Sequence, residues 1–570
     1  MLELLTRRAA EATPGFAAKQ IRWVIAFSGQ GVFLGVTELG EVGQRRNRGQ
    51  TFSLCPEFSR QFKQRGGKSE FLWDAAKVVT LHSDDLDDEK LKASHQHFVA
   101  LLQDASRAVP ELATVARALS DDSVLKQVRE RMQAEGVKPN DRVTLSIDGR
   151  FPLESGDWHD WWRETYQASI GAGAGGRKMV CFATGSVVEP LDKHPEIEGL
   201  AGVGGQGMGG VLVGMNKDAF QSYFLERSTN AAVSLEAAYR YRAALNELIR
   251  DNSQKLAGAL VVHWFKHTVA PEDDPLAWLT AGGDEAELTA RNRASELLQS
   301  IRDGRRTDLA GNYYYALTLS GAGGRVMVRD WMEGQFEELA SNITCWFEDL
   351  AIVHQKGGRI AQDPKFMAVL GATVRELRDL PPPFVAKMWR VAVRGEPIPQ
   401  AALAQAFVRV KVGIISHERF DHARMGLLKA YFVRQDRIRG QEESDMKPHL
   451  NEEHPSAAYH CGRLMAVLAK LQKAALGDVG ASVVQRYYAA ASATPALVLG
   501  RLVRGAQFHL NKLEGGLAHW FEDKLGEVAS RLGSSVPQTL TLEEQSLFAL
   551  GYYQQLVDMK TKKSGEKLEA

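Results

Sequence analysis

Up to about Trp331 short two-residue alternations of apolar residues closed by glycine turns are interspersed with helical spacing, and beyond it the apolar residues recur almost entirely by threes and fours. A period of two is the spacing of a strand with one buried face, and a period near 3.6 is that of a helix. A chain that mixes both patterns in its first block and keeps only the helical one in its second is expected to be α+β: a mixed N-terminal region with hairpins and glycine-rich loops, then an all-helical region ending in a C-terminal bundle. At 570 residues it is too long for one ordinary core. We therefore expect an N-terminal α/β domain over 1–330, a helical connector over 331–445 and a C-terminal helical bundle over 446–570.

Within the first block, RWVIAFSGQGVFLGVTEL (22–39) predicts a hairpin around Gly-Gln-Gly, and RVTLSIDGRFPL (142–153) predicts another around Asp-Gly. ALVVHWF (259–265) reads as a buried strand, and YYYALTLS with GRVMVRDW reads as a hairpin turning at 321–324. Residues 90–135 have helical spacing. Trp158, Trp162 and Tyr166, four apart, share one helix face, an arrangement that serves a core more often than a base-stacking platform. In the second block prolines at 381–383, 397 and 399 separate helices, and the polar, aperiodic IRGQEESD just before Met446 reads as a linker.

The segment after that linker carries both packing and charge. Leu464, Val467, Leu468 and Leu471 form one stripe, with Arg463 and Lys470 together beside it. Thr494 is placed to cap the next helix and Pro495 to open it. Leu499, Leu502, Ala506, Leu510 and Leu513 then mark an apolar face, opposite Arg501, Arg504, Lys512 and Phe508. Such a basic face either meets phosphate or is solvated. A second basic stretch, Arg45, Arg46, Arg48, Arg60, Lys63, Arg65 and Lys68, is interleaved with Phe52, Phe58 and Phe62, and suits either phosphate tracking or a partnerless surface loop.

The chain has 70 basic and 70 acidic residues, so any nucleic-acid role must come from such local patches. Its four cysteines, Cys55, Cys181, Cys345 and Cys461, form no CxxC pair, which argues against a zinc ribbon and fits thiols in a reducing compartment. No signal-peptide pattern and no long apolar run are present, so a cytoplasmic location is expected. GAGAGG at 171–176 and GVGGQG at 202–207 match GxGxxG literally, but each leads into a strand-like run, whereas a dinucleotide fingerprint opens a helix. The loop 199–210, with seven glycines, is expected to precede a strand (VLVGMN) and a helix from about Lys217; it could admit a ligand close to its backbone or be a plain solvent loop. The sequence lacks GxSxG and HExxH. His417, Asp421 and His422 are the nearest approach to a metal phosphohydrolase site, and without further ligands they better suit a polar helix surface. No cofactor and no catalytic residue are expected, and a binding and scaffolding role is.

Several long runs are family-like. CGRLMAVLAKLQ (461–472), RYYAAASATPALVLGRLVRGAQFHLNKL (486–513), FALGYYQQ (548–555), FLWDAAKVV (71–79), HPEIEGLAGVGGQGMGGVLVGMNKDAFQSYF (194–224) and GNYYYALTLSGAGGRVMVRDW (311–331) resemble segments of the large subunit of type I-C CRISPR surveillance complexes, the Csd-one family. The chain departs from that pattern at Phe224, where glycine is usual, and at Ala232, where proline is usual.

The resemblance implies a non-catalytic subunit in antiviral defence. It would sit on a guide CRISPR RNA ribonucleoprotein with backbone and RNA-handle-binding subunits, and recognise the short motif (PAM) flanking a double-stranded DNA target. It would also aid R-loop formation, hold the displaced strand together with small subunits, and recruit a separate helicase-nuclease. On this reading Gly204, Gly205, Gln206, Gly207 and Asn216 are the flanking-motif candidates, since an amide both donates to and accepts from base edges. Arg45, Arg46, Arg48, Lys63, Arg65, Arg463, Lys470, Arg501, Arg504 and Lys512 are the phosphate candidates. Met446, just after the linker, is the candidate internal translation start of a free small subunit.

Overall fold

Strand Trp23–Phe27 is apolar at nearly every position, and in the computed structural model it is flanked on both sides. The structure describes residues 1–40, 47, 49–58, 69–85, 87–170, 178–221, 223, 225–280, 290–416, 420–441, 443–477, 479–532 and 536–565. They fall into two compact units, Met1–Asp251 with Gly321–Met327, and Asn252–Ser320 with Val328–Ala570. No helix among them is long and apolar enough to cross a membrane.

In the first unit Trp23–Phe27 pairs antiparallel with Phe33–Glu38, as its glycine turn predicts, and parallel with Arg142–Ile147, which also pairs with Trp73–Ala75. Helices Glu89–Ala105, Leu112–Leu119 and Asp122–Ala134 contribute to the same apolar core. The acidic residues Asp84, Asp85, Asp87 and Asp88 lead into the first of these helices, and Asp88 caps it, accepting from Lys90 N and Leu91 N. Trp158, Trp162 and Tyr166 are buried in this core; Trp162 Nε1 donates to Gly15 O at 2.7 Å and Trp158 Nε1 to Pro152 O at 2.9 Å. They are packing residues, not a stacking platform.

Two local expectations are corrected. Asp148 and Gly149 do turn the chain with positive φ, but no second strand follows; Pro152 opens a 3₁₀ turn, Pro152–Glu154. Ile147 and Arg150 form one antiparallel bridge, and the pairing stops there because Trp73–Ala75 already holds the edge at Arg142–Thr144. The expected strand after residue 210 shrinks to Gly210–Val211, and the expected helix from 217 to one 3₁₀ turn, Asp218–Phe220. The Gly214 carbonyl, which a longer strand would use for pairing, accepts instead from Arg325.

The second unit combines Ser253–Leu256, the buried Ala259–Phe265, and the hairpin of Tyr313–Ala322 and Arg325–Gln335 outside its Gly321–Met327 tip with a large helical core. Pro382 lies in the first turn of Pro382–Arg394, and Pro399 sits at the N-cap of Gln400–Ile415, where a missing N–H costs nothing. Helices Ala457–Leu476 and Leu542–Gly565 approach so closely that only glycine fits. A Cβ on Gly462 would come within 1.9 Å of Phe548 O, and one on Gly551 within 2.1 Å of Tyr459 O. Tyr459 Oη then donates to Gln554 Oε1. The CGRLMAVLAKLQ and FALGYYQQ runs are thus two halves of one helix crossing. Thr494 precedes Pro495–Leu510 as expected, but does not cap it: its hydroxyl turns back to Ala490 O at 3.1 Å.

Candidate nucleic-acid interface

The loop after strand Glu196–Ile197 is anchored at its root by helix Leu235–Asp251. Arg242 Nε donates to Glu196 O at 3.0 Å, and Asn246 Oδ1 accepts from Glu198 N at 2.9 Å. The turn Ala201–Val203 ends at Gly204, whose φ of +85° favours glycine. Gly205 N then donates to Leu200 O, and Gly209 N to Gln206 O, both at 3.0 Å. The glycine density here has a packing cause as well as an access one. A Cβ on Gly321, in the hairpin tip Gly321–Met327, would fall 2.1 Å from Gly205 N, so two backbones lie directly on one another.

That tip brings the two amides together. Gln206 is exposed and lies beside Gly324, and Asn216 is exposed and accepts through Oδ1 from Arg325, the next residue. Arg325 also donates from Nη1 to Gly214 O at 2.9 Å and stacks over Phe220 at 5.0 Å. With one lone pair of Oδ1 engaged by Arg325, Asn216 keeps its Nδ2 donors and a second acceptor site for a ligand. Arg325 itself was missed by motif reading, though it lies inside GNYYYALTLSGAGGRVMVRDW; nothing in its local sequence distinguishes it from a solvated turn residue.

Beneath the loop a cavity of about 230 Å³ is lined by Gly207, Met208, Asn140 and Arg142 together with a charged cluster. In that cluster Arg242 donates to both carboxylate oxygens of the buried Glu57, Lys19 Nζ lies 2.6 Å from Glu57 Oε1, and Glu198 lies 3.4 Å from Arg242 at the solvent side. Burial alone would push Glu57 up; Arg242 and Lys19 outweigh it and hold the carboxyl well below the usual carboxylate range.

The C-terminal basic face is altered from expectation. Leu464, Val467, Leu468 and Leu471 are buried, as are Leu499, Ala506 and Leu510, so both apolar stripes face the core. Arg501, Arg504 and Lys512 are exposed, with Phe508 exposed among them. Arg463 is not part of that face: it is fully buried, donating to Gln555 Oε1 at 2.8 Å and Glu527 Oε1 at 2.6 Å. Its position beside the stripe turned it inward, where a glutamine and a glutamate on other helices satisfy it. Lys470 is half-buried and lines a separate cavity of about 480 Å³ with Lys473 and Lys560.

Arg45, Arg46, Arg48, Arg60, Lys63, Arg65 and Lys68 lie outside the described residues, as do 171–177 and His417. Asp421 caps helix His422–Ile438, accepting from Ala423 N and Arg424 N, and His422 Nε2 accepts from Gln355 N at 2.9 Å. Both are thereby occupied in holding backbone. Among the described residues no group of three or more His, Cys, Asp or Glu side chains could hold a metal ion. Met446 is buried in the helical core of the second unit.

A family model described as CRISPR-associated protein (Cas_Csd1) matches residues 3–560. No curated protein matches the chain.

Proposed function

The chain belongs to the CRISPR-associated Cas_Csd1 family, whose model spans nearly all of it, and from that premise we propose that it acts as the flanking-motif reader of a type I-C surveillance complex. The observation that supports this best is the convergence of Gln206 and Asn216 on consecutive residues of one hairpin tip, Gly324 and Arg325. In a guide-RNA complex the target sequence is read by base pairing, so the protein need recognise only a few flanking base pairs. Two exposed amides on a braced loop suit that task, and phosphate contacts fix register on the duplex without reading it.

Replacing Gln206 and Asn216 with alanine in the assembled complex is expected to lower discrimination between correct and incorrect flanking sequences by roughly ten-fold or more, each good base contact being worth about 1–3 kcal/mol. Competition binding with duplexes differing only in the flank measures it, and unchanged discrimination moves the site elsewhere.

The remaining roles follow from the same assembly. Arg45, Arg46, Arg48, Lys63 and Arg65 are phosphate contacts on duplex or guide. Arg501, Arg504 and Lys512 with Phe508 hold the displaced strand, charge tracking the backbone while the ring stacks on a base. The helicase-nuclease docks on a surface of this subunit once the R-loop has formed. The first unit takes duplex recognition, and the second takes connection and strand holding, the latter in its bundle 446–570.

Met446 initiates a free copy of 446–570, which supplies further small subunits whose weak contacts add through avidity. Because the Met446 side chain is buried, the test uses Met446→Leu with a non-initiating codon, which conserves volume. Loss of the short C-terminal product with the full chain intact is expected on an immunoblot; a persisting product of that span would sink the proposal.

A further inference from the structure

Arg325 is held by three neutral groups and by no carboxylate among the described residues. Gly214 O and Asn216 Oδ1 take one N–H each, and the Phe220 ring lies under the guanidinium at 5.0 Å. Arg22, Arg227 and Arg242 of the first unit are instead each paired with an acid, Glu38, Asp192 and Glu57, whereas Arg142, like Arg325, meets a carbonyl and a ring, Gln20 O and Trp73. Stacking and two carbonyl-type acceptors fix the plane of a guanidinium without spending its charge, and they leave three of its five donors for a ligand. The backbone below is fixed as well, because Arg325 pairs with Val211 in a parallel bridge and Val211 N donates to Gly324 O at 3.0 Å.

Resting on the flanking-motif reading above, we propose that Arg325 is a specificity-determining residue that reads a guanine edge in the flanking duplex, with Phe220 and Asn216 as its positioning residues and Gln206 reading the neighbouring base pair. The occupant follows from the geometry. A planar fork whose orientation is locked by Asn216 and Phe220, with a second amide, Gln206, beside the preceding residue, matches the two coplanar acceptors O6 and N7 of guanine in the major groove. A phosphate can also be gripped by a guanidinium fork but does not require one, since the point charge of an ammonium binds it too.

The test uses the complex reconstituted with guide RNA and the full-length chain, and target duplexes in which each flanking guanine in turn is replaced by 7-deazaguanine, which loses N7 and keeps its pairing. Wild type should bind one such duplex about ten-fold more weakly, and Arg325→Ala should be indifferent to the same replacement. Arg325→Lys should behave like the alanine variant, since an ammonium keeps the charge without the fork; its melting temperature, matched to wild type, excludes misfolding as the cause. An equal penalty in wild type and Arg325→Ala overturns the assignment while leaving flanking-motif reading in place. Uniform weakening on all duplexes, rescued by Arg325→Lys and accompanied by a flatter salt dependence, identifies a phosphate contact and also overturns it. A wild-type complex indifferent to the flanking sequence itself removes the functional reading beneath it.

Discussion

Arg242→Met is expected to destabilise the first unit by about 3 kcal/mol, the low end of the cost of leaving a buried charge without its partner. Glu57 and Arg242 are both buried, and the arginine donates to both carboxylate oxygens. After its removal Glu57 keeps Lys19, which is why the cost should not reach the upper end. The sign of the pH dependence follows from the direction of the Glu57 shift. Its carboxyl is depressed in the folded protein, so its contribution is present above the unfolded value near 4.3 and is lost as pH falls below it. In Arg242→Met the burial penalty is less opposed, the Glu57 carboxyl rises, and the onset of acid unfolding moves to higher pH. Thermal or urea unfolding at neutral pH and near pH 4 measures both effects. Equal stability of variant and wild type across that range would show that the network contributes nothing net. Because Arg242 also holds the Glu196 carbonyl, the variant should expose the loop 199–209 to protease before the rest of the unit unfolds.

The features that were legible in the sequence are those set by local period and local turns. The hairpin at Trp23–Phe27 and Phe33–Glu38, the buried strand Ala259–Phe265 and the turn at 321–324 required only neighbouring residues to be recognised. So did the apolar side of Pro495–Leu510. What failed depended on distant occupancy. Asp148-Gly149 is a sound turn, but whether the pairing continues past the Ile147–Arg150 bridge depends on Trp73–Ala75 holding the edge at Arg142–Thr144. Arg463 looks like any surface arginine until Gln555, 92 positions later, and Glu527, 64 later, are known to meet it. The glycine loop stood out by composition, yet part of its reason is Gly321, whose backbone lies against Gly205. Arg325 was invisible for the same cause: its meaning is conferred by Gly214, Asn216 and Phe220, more than a hundred positions earlier.

Arg463→Ala should be the most damaging single change in the C-terminal bundle, at roughly 3–5 kcal/mol, because it removes one partner of a buried charged network and leaves the others unsatisfied. The guanidinium joins three parts of the bundle. Nε donates to Gln555 on Leu542–Gly565, Nη2 to Glu527 on Gly516–Ser530, and Nη1 to His460 Nδ1 at 3.2 Å on its own helix. Burial by itself would raise the Glu527 carboxyl, and the hydrogen bonds from Lys524 and Arg463 bring it below its ordinary value, so Glu527 is ionised in the native network and keeps only Lys524 in the variant. Arg463→Lys should recover little, since one ammonium cannot reach two helices in the plane that the fork serves. Arg504→Ala, on the exposed face of Pro495–Leu510, should by contrast change stability by no more than about 0.5 kcal/mol. Hydrogen exchange should therefore accelerate along Leu542–Gly565 in Arg463→Ala and stay unchanged in Arg504→Ala. The pair also separates packing from binding. If Arg463→Ala melted like wild type but bound displaced strand as weakly as Arg504→Ala, the arginine would have to swing out to phosphate in the complex, and the buried network would be a resting state of the bundle and not its keystone.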